Sequence, residues 1–395
     1  MRVRLCVWVL LVCLPVAVAP TSVWAAEEGL APHSKSAVLV DADTGTVLYE
    51  KNSREKLPPA SITKIMTMLL VMEALEKGKI SYEDQVRTSE YASSMGGAQI
   101  FLETGEVMKL EDLLKAVAVG SANDASVALA EHLAGTEKKF VEMMNQRAEE
   151  LGMKDTCFQN PNGLPAPNHY STARDIAIMS RELLKHREIT RFTKTYEDYL
   201  RKDSKKPFWL VNTNKLVKFY EGLDGLKTGF TGEAGFCLAA TAKRRDLRAI
   251  AVVMGEPDVK DRNREITRML DFAFNQYANR VIYKPGQLIG KLQVDKGEKS
   301  VIEVRSPQQF SVLMKKGENA EDYRKKIHWE KLKAPIKKGQ LLGTVEVEKD
   351  GKTVARMELA SAREIPQASV WTLLKRTARK LFFIPDEAPA ADPET

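Results

Sequence analysis

Between Ser61 and Lys77 the chain reads Ser-Ile-Thr-Lys-Ile-Met-Thr-Met-Leu-Leu-Val-Met-Glu-Ala-Leu-Glu-Lys, apolar on nearly every side of a helical projection. A helix of that kind has no face to give to water and must be enclosed by other elements. Pro58-Pro59 stands just before it. The fold must therefore wrap layers around a central helix, and the remaining segments have to supply them.

Strands come first. Ala37-Val38-Leu39-Val40 alternates, turns at Asp43-Thr44-Gly45 and resumes at Thr46-Val47-Leu48-Tyr49, a hairpin pattern. Helical runs follow at 109–119, 124–134 and 139–151, the first two separated by Ser121-Ala122-Asn123. Apolar strand-like runs return at Trp209-Leu210-Val211, Gly235 to Ala242 and Leu247 to Met254, before an amphipathic stretch from Glu265 to Tyr277. Strand, helices, strands and helix in that order predict an α+β architecture, helices packed on an antiparallel sheet. Past Lys284-Pro285-Gly286 short alternating runs such as Ser300-Val301-Ile302-Glu303-Val304 and Thr344-Val345-Glu346-Val347 predict a separate small all-β domain over 281–364. At 395 residues the chain has room for both units and for tails.

The ends carry their own signals. Arg2 and Arg4, the apolar run Leu5 to Ala19 ended by Pro20, and the small residues of Val23-Trp24-Ala25 form an export signal over 1–25, too short to span a membrane. Cys6 and Cys13 leave with it, so Cys157 and Cys237 cannot staple a fold, and Cys237 in its apolar run reads as a small buried hydrophobe. The formal charge of +7 gathers late, at 315–338 and 375–380. Without an aromatic ladder or a phosphate-cradling glycine loop, that excess suits an anionic wall or membrane surface rather than nucleic acid. Residues 385–395, with three prolines and acidic neighbours, read as a disordered tail.

Three short motifs stand in order: Ser61-Ile62-Thr63-Lys64, Ser121-Ala122-Asn123 and Lys227-Thr228-Gly229. Each is common by chance; together, at a helix start, an interhelical loop and a strand, they are specific. Positions i and i+3 share a helix face, so Ser61 and Lys64 are within hydrogen-bond reach. A lysine titrating near about 10.4 is no base at neutral pH, but burial and neighbouring cations disfavour its charged form. Ser121 can relay a proton to a leaving nitrogen, and Asn123 can orient Lys64 or a substrate amide, although Ser121, Asn123 and Asp124 would also serve as helix caps. Gly229 leaves room for a substrate backbone to add as an extra strand, with Lys227 and Thr228 meeting a terminal carboxylate.

These motifs, their order and the flanking Pro58-Pro59-Ala60 and Gly225-Leu226 make the chain similar to the penicillin-binding D-alanyl-D-alanine carboxypeptidases, the low-molecular-weight penicillin-binding proteins. The resemblance implies a β-lactamase/transpeptidase-like catalytic domain over 30–276, with the small β domain behind it. It implies Ser61 as the acylated nucleophile, Lys64 as its base, Ser121 as relay and Lys227 as carboxylate anchor. It also implies an oxyanion hole from the backbone N–H groups of Ser61 and Phe230, and Arg262 is placed by position as a second carboxylate contact. Peptidoglycan stem peptides are the expected substrates and β-lactams covalent inhibitors, with no cofactor.

Rival readings are weaker. A class A β-lactamase activates its deacylating water with a glutamate, and no Glu occurs between Leu151 and Arg181, where Phe158 to Leu164 resembles the family's cleft-floor loop. The five histidines sit outside strand-to-helix turns and there is no G-x-S-x-G elbow, against a Ser-His-Asp hydrolase. No zinc-binding spacing is present, so no metal is expected. A noncatalytic wall-binding protein would need all three motifs to be relics.

Finally, 369–383 forms an amphipathic helix within a segment spanning 366–384. At about 100° per residue Val370, Trp371, Leu374, Ala378, Leu381 and Phe382 share one face, opposite Lys375, Arg376, Arg379 and Lys380. That is the pattern of a helix resting among lipid head groups, here on the outer face of the cytoplasmic membrane. Pro366 before it and the acidic tail after it predict a segment detached from the β domain.

Overall fold

The computed structural model describes residues 29–381. The export signal with Cys6 and Cys13, Phe382 and the acidic tail lie outside the described residues.

Five antiparallel strands form the main sheet, in the spatial order Val47–Lys51, Ser36–Asp41, Leu247–Glu256, Gly235–Arg244 and Leu223–Thr231. The first hairpin closes at one edge, and the strand bearing Lys227-Thr228-Gly229 forms the other. Both faces are covered. Val38, Val40, Ile250 and Val252 point into the large helical core, while Ala37, Leu39, Ala251 and Val253 pack on Ile266, Met269 and Leu270 of the closing helix Val259–Gln276. Double-sided burial explains why these strands read as continuous apolar runs rather than strict alternation.

The central helix runs Lys64–Glu76, and its residues from Lys64 to Met72 are all buried. It begins later than the sequence predicts, because Ala60–Thr63 form a tighter 3-10 turn ahead of it. At about three residues per turn, positions i and i+3 eclipse, so Ser61 still stands over Lys64. The second predicted helical run also ends differently. Leu110–Lys115 is α-helical, Ala116–Gly120 widens into a π-helical turn, and Ser121 closes it in the left-handed region at φ 62°. The next helix starts at Asn123 with Ala122 in the capping position, so neither Ser121 nor Asn123 is spent as its N-cap.

The amphipathic stretch predicted from Glu265 begins earlier, at Val259, where the Asp258 carboxylate accepts from the Asp261 N–H at 2.7 Å. Its first turn is polar, which hid it from a hydrophobic pattern. The next strand, Tyr277–Tyr283, follows at once and opens the β unit, four residues before the predicted boundary at 281. That unit holds a core of its own, including Val304, Val312, Ile336, Val345 and Leu359. Asn279 donates to Asp41 Oδ1 at 2.8 Å and Gln309 to Asp43 Oδ2 at 2.7 Å, so both residues grip the first hairpin turn. Cys157 and Cys237 are unpaired, and Cys237 is fully buried.

Candidate active site

The cleft assembles from the 3-10 turn, the Ser121–Asn123 corner, the edge strand and the loop Phe158 to Leu164. Lys64 is completely buried. Its Nζ lies 3.1 Å from Ser61 Oγ and donates to Asn123 Oδ1 at 2.7 Å and to the Asn162 carbonyl at 2.5 Å. No salt bridge reaches it among the described residues. Burial holds its pKa well below the usual lysine value, and the like charge of Lys227 pushes in the same direction against a weaker opposing pull from Asp124. In its neutral form the amine has two N–H bonds for the Asn123 and Asn162 oxygens and its lone pair left for the Ser61 hydroxyl, the arrangement a general base requires.

The Asn162 carbonyl is a functional group that residue-type reasoning missed. The loop carrying it is tied down: Asn160 Oδ1 accepts from the Gly163 N–H at 2.6 Å, and Thr67 Oγ1 donates to the Pro161 carbonyl at 2.6 Å. The only signal was Asn-Pro-Asn-Gly, a turn sequence. Gly163, at φ 85°, lies so close to the nucleophile turn that a Cβ there would fall 1.9 Å from the Ala60 carbonyl oxygen and 2.9 Å from Ser61 N. Gly163→Ala is therefore expected to destabilise the protein by more than about 2 kcal/mol and to slow acylation. Gly78, also at positive φ but with open space around it, is the control. The comparison is read as melting temperature and β-lactam acylation rate of the two variants.

Of the two partners the sequence offered Asn123, the structure sets it against Lys64, from which its Oδ1 accepts, while its own Nδ2 donates to the Gly96 carbonyl at 2.7 Å. Ser121 is buried at the same corner, yet its hydroxyl makes no hydrogen bond among the described residues. It is not part of the Ser61–Lys64–Asn123 set in this state.

The role expected for Gly229 changes. A Cβ there would meet the chain's own Pro59 carbonyl at 2.9 Å, Ala60 Cβ at 3.2 Å and Ile62 Cγ1 at 3.2 Å. The close approach that needs glycine is between the edge strand and the nucleophile turn, not between strand and substrate. That contact packs the edge strand on the turn that carries Ser61. The Phe230 ring itself is exposed and stacks on Phe236, centroids 4.3 Å apart.

Beside Gly229, Thr228 Oγ1 donates to Thr213 Oγ1 at 2.7 Å, and buried Lys227 donates to the Thr228 carbonyl at 3.0 Å. Burial pulls the Lys227 pKa down to about 7, and the nearby Arg262 guanidinium adds to the shift. Arg262 is itself 4% exposed and bonds Asn263 Oδ1 at 2.9 and 3.1 Å. Neither cation forms a salt bridge among the described residues. Two buried, mutually repelling cations with no salt-bridge partner among the described residues are costly unless an anion arrives to join them.

A family model described as D-alanyl-D-alanine carboxypeptidase matches residues 23–258, and one described as penicillin-binding protein 5, C-terminal domain, matches residues 277–367. The D-alanyl-D-alanine carboxypeptidase DacF of Bacillus subtilis is 55% identical over 349 residues, covering 88% of this chain and 90% of the relative. Among solved structures, penicillin-binding protein 5 of Haemophilus influenzae superposes with a TM-score of 0.69 at 32% identity, covering 85% of this chain and 98% of that one. A penicillin-binding protein of Listeria monocytogenes in its ampicillin-bound form superposes with a TM-score of 0.53 at 30% identity, covering 61% of this chain and 98% of that one. The chain belongs to the D-alanyl-D-alanine carboxypeptidase family of serine peptidases.

Proposed function

We propose that the protein removes the terminal D-alanine from peptidoglycan pentapeptide stems through an ester formed on Ser61. The observation that carries this reading is Lys64: fully buried, held off its charged form and hydrogen-bonded to the Ser61 hydroxyl. Neutral Lys64 takes the Ser61 proton as Oγ attacks the carbonyl carbon of the D-Ala-D-Ala bond. The backbone N–H groups of Ser61 and Phe230 receive the oxyanion, a contribution typically worth about 10²–10³ in rate per donor. Collapse breaks the C–N bond, and the proton held by Lys64 passes by way of Ser121 to the departing amine. Water then cleaves the ester with Lys64 again as base. Lys227, Thr228 and Arg262 hold the terminal carboxylate of the substrate.

Penicillins enter the same route and stay as the acyl-enzyme. The floor loop presents the Asn162 carbonyl to Lys64, and no glutamate stands in that loop to serve as a β-lactamase's water-activating base. The test is direct: the protein is incubated with a pentapeptide stem ending in D-Ala-D-Ala and released D-alanine is measured. Hydrolysis of penicillin faster than D-alanine release would favour the lactamase reading.

We infer that the protein is exported, a reading supported by its family and by the apolar N-terminal run, and that it attaches to the outer face of the cytoplasmic membrane through the helix Val370–Leu381. Val370, Trp371, Leu374 and Leu381 on it are 57–75% exposed. Among the described residues no helix is long and apolar enough to cross a membrane. The helix is not detached as its flanks suggested. Arg376 donates to the carbonyls of Gly297, at 2.7 Å, and Glu298, and the Ala368 N–H donates to the Lys296 carbonyl at 2.8 Å. One residue of the expected polar face is thus a latch to the β unit. Deleting residues 366–395 is expected to leave an active enzyme that no longer sediments with anionic vesicles, whereas the intact protein does so less well as salt rises. Equal partitioning of the two proteins would reject the anchor.

A further inference from the structure

Next to the cationic pair, two buried carboxyl groups share one hydroxyl. Glu256 ends its strand, and Glu265 lies one turn beyond Arg262 in the closing helix; both are almost wholly inaccessible. Ser34 Oγ contacts Glu256 Oε1 on one side and Glu265 Oε2, at 2.6 Å, on the other. Glu265 also accepts from the His33 N–H at 2.7 Å, the Ser34 N–H at 3.1 Å and His33 Nδ1 at 2.8 Å. A hydroxyl owns one proton and can donate to one carboxylate only. The second short contact requires a proton from a carboxyl group. Glu265, with its full set of donors, is the anion, so Glu256 is the acid: its proton goes to Ser34 Oγ, and the Ser34 proton goes to Glu265. Glu256 Oε2 is buried without a partner, which a neutral acid tolerates far better than a carboxylate does. Burial and the hydrogen bond and charge of Glu265 raise the Glu256 pKa, while in Glu265 burial is outweighed by hydrogen bonds from Glu256, Ser34 and His33, which lower it.

The groups acting on Glu256 come from three elements: Ser34 ahead of the first strand, Cys237 from the neighbouring strand, and Asp261, Arg262 and Glu265 from the closing helix, with His33 on Glu265 and Lys35 against Gly255 close by. Burial lowers the Arg262 pKa and a charge on Glu256 opposes that shift, while the Arg262 charge lowers the pKa of Lys227. We propose that Glu256 is a positioning and specificity residue of the carboxylate anchor: as the neutral acid it leaves the Arg262 charge free for the substrate carboxylate, and on ionising it becomes an internal partner that competes for that charge. This rests on the reading of Lys227 and Arg262 as the anchor.

The test measures KM and kcat for a peptide ending in free D-Ala-D-Ala and for its C-terminal amide, from about pH 6 to about pH 9.5, with wild-type enzyme and Glu256→Gln. Wild type is expected to lose affinity for the free acid on the alkaline side by at least about threefold more than Glu256→Gln, with kcat and the amide little affected. Lys227 deprotonation contributes a rise common to both enzymes, so the difference between them carries the result. Superimposable KM profiles overturn the proposal for Glu256 while leaving the anchor intact; no preference of wild type for the free acid at any pH overturns the anchor and the proposal with it. In the wild-type protein alone, the infrared carbonyl band of a buried protonated acid is expected at neutral pH and should titrate away over the same alkaline range. A protein without that band at neutral pH has Glu256 ionised, and the inference fails.

Discussion

Ser61→Ala is expected to abolish D-alanine release and covalent labelling by a fluorescent penicillin together, with at least about a thousandfold fall in both. The hydroxyls near Lys64 are few, and their geometry separates them. Ser61 is the one bonded to the Lys64 amine. Thr67 donates to the Pro161 carbonyl, Thr63 pairs with His169, and the Ser121 hydroxyl is bonded to nothing among the described residues. No neighbour is in line to take over the acyl group. The substitution removes one hydrogen bond from a half-buried side chain, a loss of about 1 kcal/mol, so melting should scarcely move. Labelling that survives in a folded variant would move the nucleophile elsewhere, with Ser121 the first place to look.

Much of this site is legible in the chain because its informative features are local. An all-round apolar helix, a hairpin with Asp-Thr-Gly at its turn and two apolar strands are patterns of neighbouring residues, and the three motifs bring the right groups in the right order. What escapes is decided by contacts distant in sequence. The Asn162 carbonyl lies 98 positions from the lysine it receives, and a backbone carbonyl carries no side-chain signature at all. Gly229 looks like a gap left for substrate, whereas the neighbour that forbids a side chain is the turn at Pro59–Ile62. Arg262 was one of three arginines near a helix start; only the folded arrangement sets it against Lys227 rather than Arg264, which pairs with Asp261 at 2.6 Å. Ser34 shows no local pattern and becomes visible only when Glu256 and Glu265 close on it.

The same proximity of cations makes Lys64 the residue whose replacement says most about the mechanism. Lys64→Arg keeps a long cationic side chain able to donate to Ser61, Asn123 and Asn162, but a guanidinium stays protonated in proteins and cannot accept the serine proton. Acylation by penicillin is therefore expected to fall by at least about 10²–10⁴-fold at every pH, although the charge near the cleft is preserved or increased. A variant with substantial activity would show that Lys64 acts as a fixed charge and not as a base. Lys227 supplies the complementary measurement. Its ammonium lowers the Lys64 pKa by like-charge repulsion, so Lys227→Ala removes that pressure and lets the Lys64 pKa rise. Because the base must be neutral to work, the acid limb of the acylation profile should shift to higher pH in Lys227→Ala. On the alkaline side wild type loses Lys227 charge as pH passes about 7 in the empty site, and binding of a free carboxylate falls with it. Lys227→Ala has no such charge to lose, so its free-acid and amide substrates should give nearly the same alkaline profile. The expected result is a crossed pattern, with the acid limb moved by loss of repulsion and the alkaline limb flattened by loss of the anchor. An acid limb that stays in place would mean that Lys64 is held neutral by burial alone.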